Sequence, residues 1–270
     1  MPTNKGLAAV AAGRSRHKPF IGKDLGAPLF PRFFVALPRI PCYTVSMLTT
    51  TRYQKSIKPV PSDHVFMLKP GSNNKKLGFI VSKGRHKGKR IYSLTLPERE
   101  TCPRSCHHWD DCYGNNMPFA TRYSVSNWEA FIDRLEYEIA TLLEKRTHKA
   151  GILIRLHVLG DFYSADYIRF WDGLLSFYGD RLAVYGYTAH DPGSKLGLLV
   201  GRLNLTYPER CEVRFSHGAN YNKTFDQRFA AEESFEGDAF DCPEQTGKVK
   251  DCASCALCWE ATKTVRFATH

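Results

Sequence analysis

Nowhere in these 270 residues do 18 apolar residues follow one another, so no segment is long enough to cross a bilayer as a helix. The start lacks the apolar core and small-residue cleavage site of a secretory signal, and the expected compartment is a reducing cytoplasm, where disulfides do not persist. Acidic residues are scarce in residues 1–46: Asp24 stands alone against seven lysines and arginines, and this stretch carries +6 of the formal +11. It also lacks sustained apolar periodicity, which predicts a basic, disordered tail over residues 1–63. Prolines 28, 31, 38 and 41 argue against the amphipathic helix of an organellar targeting peptide. Translation from Met47 rather than Met1 is the duller alternative.

What the chain does have is cysteine in two tight groups. TCPRSCHHWDDCYG holds Cys102, Cys106 and Cys112; DCPEQTGKVKDCASCALCW holds Cys242, Cys252, Cys255 and Cys258. The other two of the nine, Cys42 and Cys211, are isolated and read as ordinary buried thiols. A chain of this length at 43% hydrophobic content buries a core without disulfide staples, so the groups point to a metal. Four thiolates suit tetrahedral zinc. Three cysteines at a strict two-residue interval, with one upstream, suit an iron–sulfur cubane, and iron–sulfur is the favoured reading for both groups. The first group has only three thiols, which leaves one metal position open to chemistry. Cys242 is the least secure ligand, separated from Cys252 by nine residues.

The pattern becomes regular from about residue 64. Leu77–Ser82 and Arg90–Leu96 are expected as strands joined by the basic turn Lys83–Lys89, the second running into the first cysteine loop. Ser126 opens a capping box with Glu129, and helical periodicity runs from Trp128 to Leu143. Strands are expected at Ile152–Val158, Leu182–Thr188 and Cys211–Ser216, with helices over Ser164–Tyr178 and about 194–203. Such alternation means a parallel sheet with right-handed crossovers. In the first of these strands Ile152, Ile154, Leu156 and Val158 share one face, and Leu153, Arg155 and His157 the other. In the last, Val213 and Phe215 oppose Arg214 and Ser216. A cationic, hydroxyl-bearing face fits a partial (β/α) barrel holding a ligand, with Arg155, His157 and Arg214 as candidate catalytic residues. The bland alternative is a set of buried ion pairs. Three domains result: the tail 1–63, an α/β core over 64–235 and a cysteine-rich segment over 236–270.

A strand, a three-cysteine loop, a helix, a strand and then Gly160-Asp161 is an order that resembles radical S-adenosylmethionine enzymes. More closely, CPRSCHHWDDCYG, RLHVLGDFYSADYIRFW and CPEQTGKVKDCASCALCW resemble the phage "gene eighty-eight" protein family, over roughly residues 60–270. That family occurs in phages, plasmids and bacterial genomes and itself looks radical-SAM-like. The resemblance implies a 4Fe–4S cluster on Cys102, Cys106 and Cys112, with Tyr113 flanking the nucleoside of S-adenosylmethionine. Asp161 would take the methionine ammonium, and Gly160 and Ser216, both at strand ends, complete the cofactor-binding set. Reductive cleavage of S-adenosylmethionine would follow, acting on an unknown substrate, with an electron donor such as a flavodoxin or ferredoxin. The C-terminal cysteines would build an auxiliary cluster. The spacing here is three then five residues where the radical enzymes have three then two, and Leu-Gly-Asp stands for Gly-Gly-Glu.

Two other classes compete. A zinc-stabilised nucleic-acid-binding protein of a mobile element would account for a pI near 9.2 and the basic run KGRHKGKR at 83–90. A metal-dependent hydrolase would use His107, His108, Asp110 and Asp111. His190, His217 and His270 were weighed as outer ligands and read as ordinary histidines.

Overall fold

The structure, a computed structural model, describes residues 51–62, 64–216, 229–232, 239–261 and 263–268. The expectations for residues 1–50, including Cys42 and Met47, and for His217 and His270 fall outside the described residues.

Ten strands are described: β1 (Ile57–Lys58), β2 (Lys69–Pro70), β3 (Arg90–Ser93), β4 (Arg122–Tyr123), β5 (Ile152–Leu156), β6 (Leu182–Thr188), β7 (Cys211–Ser216), β8 (Phe229–Glu232), β9 (Ala239–Asp241) and β10 (Thr264–Phe267). β1 and β4 form a small parallel pair; the rest make one sheet in the order β2-β3-β5-β6-β7-β8-β10-β9. Only β2 against β3 is antiparallel. From β3 to β8 spatial order follows chain order without a reversal. Right-handed crossovers then all fall on one side of the sheet.

That side carries the three long helices: α2 (Trp128–Glu144), α3 (Ala165–Tyr178) and α4 (Lys195–Thr206), numbered after a one-turn helix α1 (Glu98–Thr101). Each long helix starts at a side-chain cap: Asn127 Oδ1 accepts from the Ala130 N–H, Ser164 Oγ from Tyr167 and Ser194 Oγ from Gly197. The cap of α2 is therefore Asn127, one residue later than the expected Ser126. Phe131, Leu135, Ile139, Tyr167 and Trp171 bury against Ile152, Ile154, Leu156 and Val213. The strand alternation expected from the sequence places these residues together.

The opposite face is covered by the C-terminal segment. Leu153, Ala183 and Tyr185 pack there against Cys242, Cys252, Ala253, Cys258 and Trp259. The boundary drawn at 236 therefore does not separate a domain, because β10 enters the main sheet between β8 and β9.

The boundary at 63 also moves. Ile57 pairs with Arg122, and Thr51, 2% exposed, donates to Glu98 at 2.5 Å. Leu77–Ser82 forms only an isolated bridge at Ile80 rather than a strand. Its backbone is shared: Ile91 N–H donates to Phe79 O, but Cys252 and Ala253 N–H donate to Lys76 O and Leu77 O, and Ser82 N–H to Ala253 O. Half of the expected hairpin thus serves the C-terminal cysteines.

Candidate metal centres

The four C-terminal cysteines meet. Cys242, Cys252, Cys255 and Cys258 line one recess with about 240 Å³ of atom-free space, its open mouth included, closed on one side by Trp259. Cys242, the least secure from sequence, is delivered by β9 lying beside β10, and its N–H donates to Arg266 O at 2.8 Å. The other three are carried by α5 (Cys252–Cys255) and α6 (Leu257–Glu260). In an unbroken helix residues three apart drift by roughly 60° per step, which would carry Cys258 away from Cys252. Ala256 between them adopts φ 67°, a left-handed conformation, and that break turns Cys258 back. Asp251 caps α5 by accepting from the Ser254 N–H at 2.8 Å.

Arg214 fastens this segment to the sheet. Fully buried, it donates from Nε to Cys258 O at 2.9 Å, from Nη1 to Lys263 O at 2.9 Å and from Nη2 to Ala261 O at 2.6 Å, with Glu212 as ion partner at 3.5 Å. Its expected catalytic role is replaced by a clamp, because its donors are spent on three carbonyls. Tyr187, absent from the expected site residues, donates its hydroxyl to Cys258 Sγ at 3.0 Å.

The first group hangs from the end of β3. Cys102 ends α1, its N–H on Glu98 O at 2.9 Å, and Cys102, Cys106 and Cys112 are all partly exposed. The loop is closed by a buried pair absent from the expected site. Arg122 holds Glu98 through Nε at 2.6 Å and Nη2 at 3.0 Å, then spends its remaining donors on Gly114, Met117 and Ala120 carbonyls and Ser56 Oγ. The sequence signal was only an acid before and a base after the cysteines.

The Leu-Gly-Asp turn docks on this loop. Gly160 has φ +85°, and a Cβ there would lie 2.6 Å from both Leu96 Cβ and Thr101 Oγ1, so only glycine permits the contact. Asp161, 2% exposed, accepts from Phe162 N–H at 2.7 Å, Thr188 Oγ1 at 2.8 Å and Ala189 N–H at 2.7 Å. Burial raises its carboxyl, opposed by His190 and these donors. Its first task is to tie the ends of β5 and β6 together. His190 itself is a core histidine, its Nε2 2.8 Å from Phe162 O.

Burial pushes the Cys102 thiol well up, and Asp161, Cys106 and Cys112 push it further. Burial takes Cys106 up to about 11 and Cys252 up to about 12. Within each group the neighbouring thiols oppose one another's ionisation, and a bound cation would remove that opposition. The backbone favours thiolate as well: N–H groups of His108, Gly114 and Leu257 are directed to Cys106, Cys112 and Cys255. Among the described residues, no three His, Cys, Asp or Glu side chains come close enough to hold a single ion. The His107 and His108 rings lie 3.9 Å apart, tilted by 42°, and His108 meets exposed Asp111 at 3.3 Å.

Of the remaining predicted residues, Tyr113 is 39% exposed beside Cys112, and Ser216 closes β7. His157 does not share a face with Arg155. It follows the end of β5 and turns to the helix layer, its Nε2 2.8 Å from Tyr167 Oη, and burial lowers it to about 3. Arg155 stays on the cysteine side: its charge is felt by Tyr113, Tyr185, Tyr187 and Cys252. The basic turn is docked in part, through His86 and Lys89, while Lys83, Arg85 and Lys87 are exposed. Arg85 bonds Glu260 and Pro208 O, Lys89 bonds Ala150 O and Asp180 O, and His86, 4% exposed, lies 6.5 Å from the Trp259 ring.

Among the described residues no helix is long and apolar enough to cross a membrane. A family profile described as Gene product 88 matches residues 67–190. The chain is 28% identical over 236 residues to the Gene 88 protein of Mycobacterium phage D29, covering 75% of this chain and 98% of that protein. No solved structure matches.

Proposed function

We propose that this chain, whose similarities support the phage gene 88 family, is an iron–sulfur protein with two cysteine-bound clusters of different character. The observation that carries the reading is the recess in which Cys242, Cys252, Cys255 and Cys258 converge on a face of the sheet free of long helices. Thiolates around a multi-iron cluster each bind their own iron and need not converge on one ion. Cys102, Cys106 and Cys112 would hold the second cluster.

The finer reading is a radical S-adenosylmethionine enzyme on a partial (β/α) barrel. Its support is the sequential winding from β3 to β8, the three-thiol loop at the end of β3, and the Gly160-Asp161 turn against that loop. A cluster there would supply single electrons. The chain's own residues close the loop through Arg122, leave Tyr113 open toward a ligand, and place Asp161 at the adjoining strand end. A flavodoxin- or ferredoxin-like donor in the cytoplasm would serve it, and the enzyme would act on an unknown substrate.

Anaerobic purification with iron and acid-labile sulfide assays tests this. The expected result is about eight of each per chain for two cubanes. Stoichiometric zinc without sulfide would overturn it in favour of the zinc-stabilised, nucleic-acid-binding reading. The burial of His86 and Lys89 in that turn weighs against this alternative.

A further inference from the structure

The row Ser93–Arg155–Tyr185–Glu212 crosses β3, β5, β6 and β7 in register on the cysteine side. Its one carboxylate, Glu212, is taken by Arg214. Arg155 therefore has no carboxylate partner among the described residues, and its Nε is buried without a hydrogen bond. Next to it the hydroxyl of Tyr185, a residue 2% exposed, is likewise buried and unpaired. Tyr187 adds a ring 5.9 Å from the guanidinium. Buried donors without acceptors are costly, about 1–3 kcal/mol for a neutral group and more for a charged one, and two adjacent ones mark a place for an absent acceptor.

We propose that Arg155 and Tyr185 form a seat for the carboxylate of a small monocarboxylic ligand, between the two cysteine groups. A guanidinium fork matches a planar carboxylate with two parallel bonds. One cation, with thiols on both sides, balances one negative charge and disfavours a phosphate dianion. Tyr185 and Tyr187 give an aromatic wall, suited to a flat or apolar ligand body. Arg155 lies at the C-terminal end of a parallel strand, where such sheets place their ligands. The seat does not depend on the metal reading.

Phenylglyoxal labelling of arginines, resolved by peptide mass spectrometry, tests it on the full chain. Benzoate and acetate are the probes, inorganic phosphate the comparison, and chloride holds ionic strength. Arg155 should label, while buried, paired Arg122 and Arg214 should not. Benzoate at about ten times its dissociation constant should slow Arg155 labelling roughly tenfold. Tyr185→Phe keeps the ring on Trp259 and should raise the protecting benzoate concentration roughly tenfold. An Arg155 that does not label, labelling indifferent to carboxylates, protection by phosphate alone, or unchanged protection in Tyr185→Phe would each overturn the seat. Iron and sulfide measured on the same sample separate the two readings. Full iron without protection removes only the seat, and protection without iron removes only the clusters.

Discussion

The two cysteine groups sit on one molecule but are built differently. The first is three partly exposed thiols on a loop, closed by one buried pair, Glu98 and Arg122. The second is four buried thiols laid on a sheet face and clamped by Arg214. If both groups hold clusters, as proposed, four buried ligands would make a closed centre with the Tyr187 hydroxyl on one sulfur, and three on a loop would leave a position to be filled from outside. The proposal then gives exchange with a ligand to the first and electron storage or structure to the second.

The largest expected effects come from the two arginines, because removing one partner of a buried, hydrogen-bonded charge costs about 3–5 kcal/mol. Arg122→Ala should lower stability in urea by about that much and release the iron of the first group while the second keeps its own. Arg214→Ala should do the reverse. Loss of all iron in either variant would show that the centres are not separately held. Next, Gly160→Ala should cost about 1–3 kcal/mol for its φ of +85° alone, with a further clash at Leu96 and Thr101. Its iron loss should again be confined to the first group.

A smaller, pH-dependent effect distinguishes the layers. Burial lowers His86, beside the second group, and His157, in the helix layer, to about 3. Above about pH 6.5 both are neutral whether folded or not, so they exert no pH dependence. Below it the unfolded imidazoles take protons that the folded ones refuse. Stability should then fall by about 1.4 kcal/mol per pH unit for each, down to about pH 3. His86→Phe should remove one share of that acid slope in pH-resolved denaturation. Least of all, Ala256→Gly should be neutral or stabilising by about 1 kcal/mol, since it relieves the left-handed residue between Cys255 and Cys258.

The sequence carried the elements well where periodicity decided them: β6 and β7 fall on the expected residues, and α3 begins one residue after the expected Ser164. It carried the cysteines because spacing survives without knowledge of the fold. It failed where a side chain's partner is distant in the chain. Arg214 looked reactive because its carbonyl partners lie 44 to 49 residues away. Arg122 was invisible for the same reason. His157 was misplaced because alternation was extended past Leu156, where β5 stops. Leu77–Ser82 looked like a strand because alternation does not say which chain will take its hydrogen bonds.

The contrast between an open and a closed centre is tested most directly by electron paramagnetic resonance of the reduced, iron-replete protein before and after adding S-adenosylmethionine at millimolar concentration. Two signals are predicted. The one lost in Cys106→Ala should change on addition, and the one lost in Cys255→Ala should not. In Asp161→Asn, which keeps most of the strand-end contacts, the change should weaken with iron content intact. If neither signal responds, or if the signal on the four buried cysteines is the one that moves, the assignment of the open position to Cys102, Cys106 and Cys112 is contradicted.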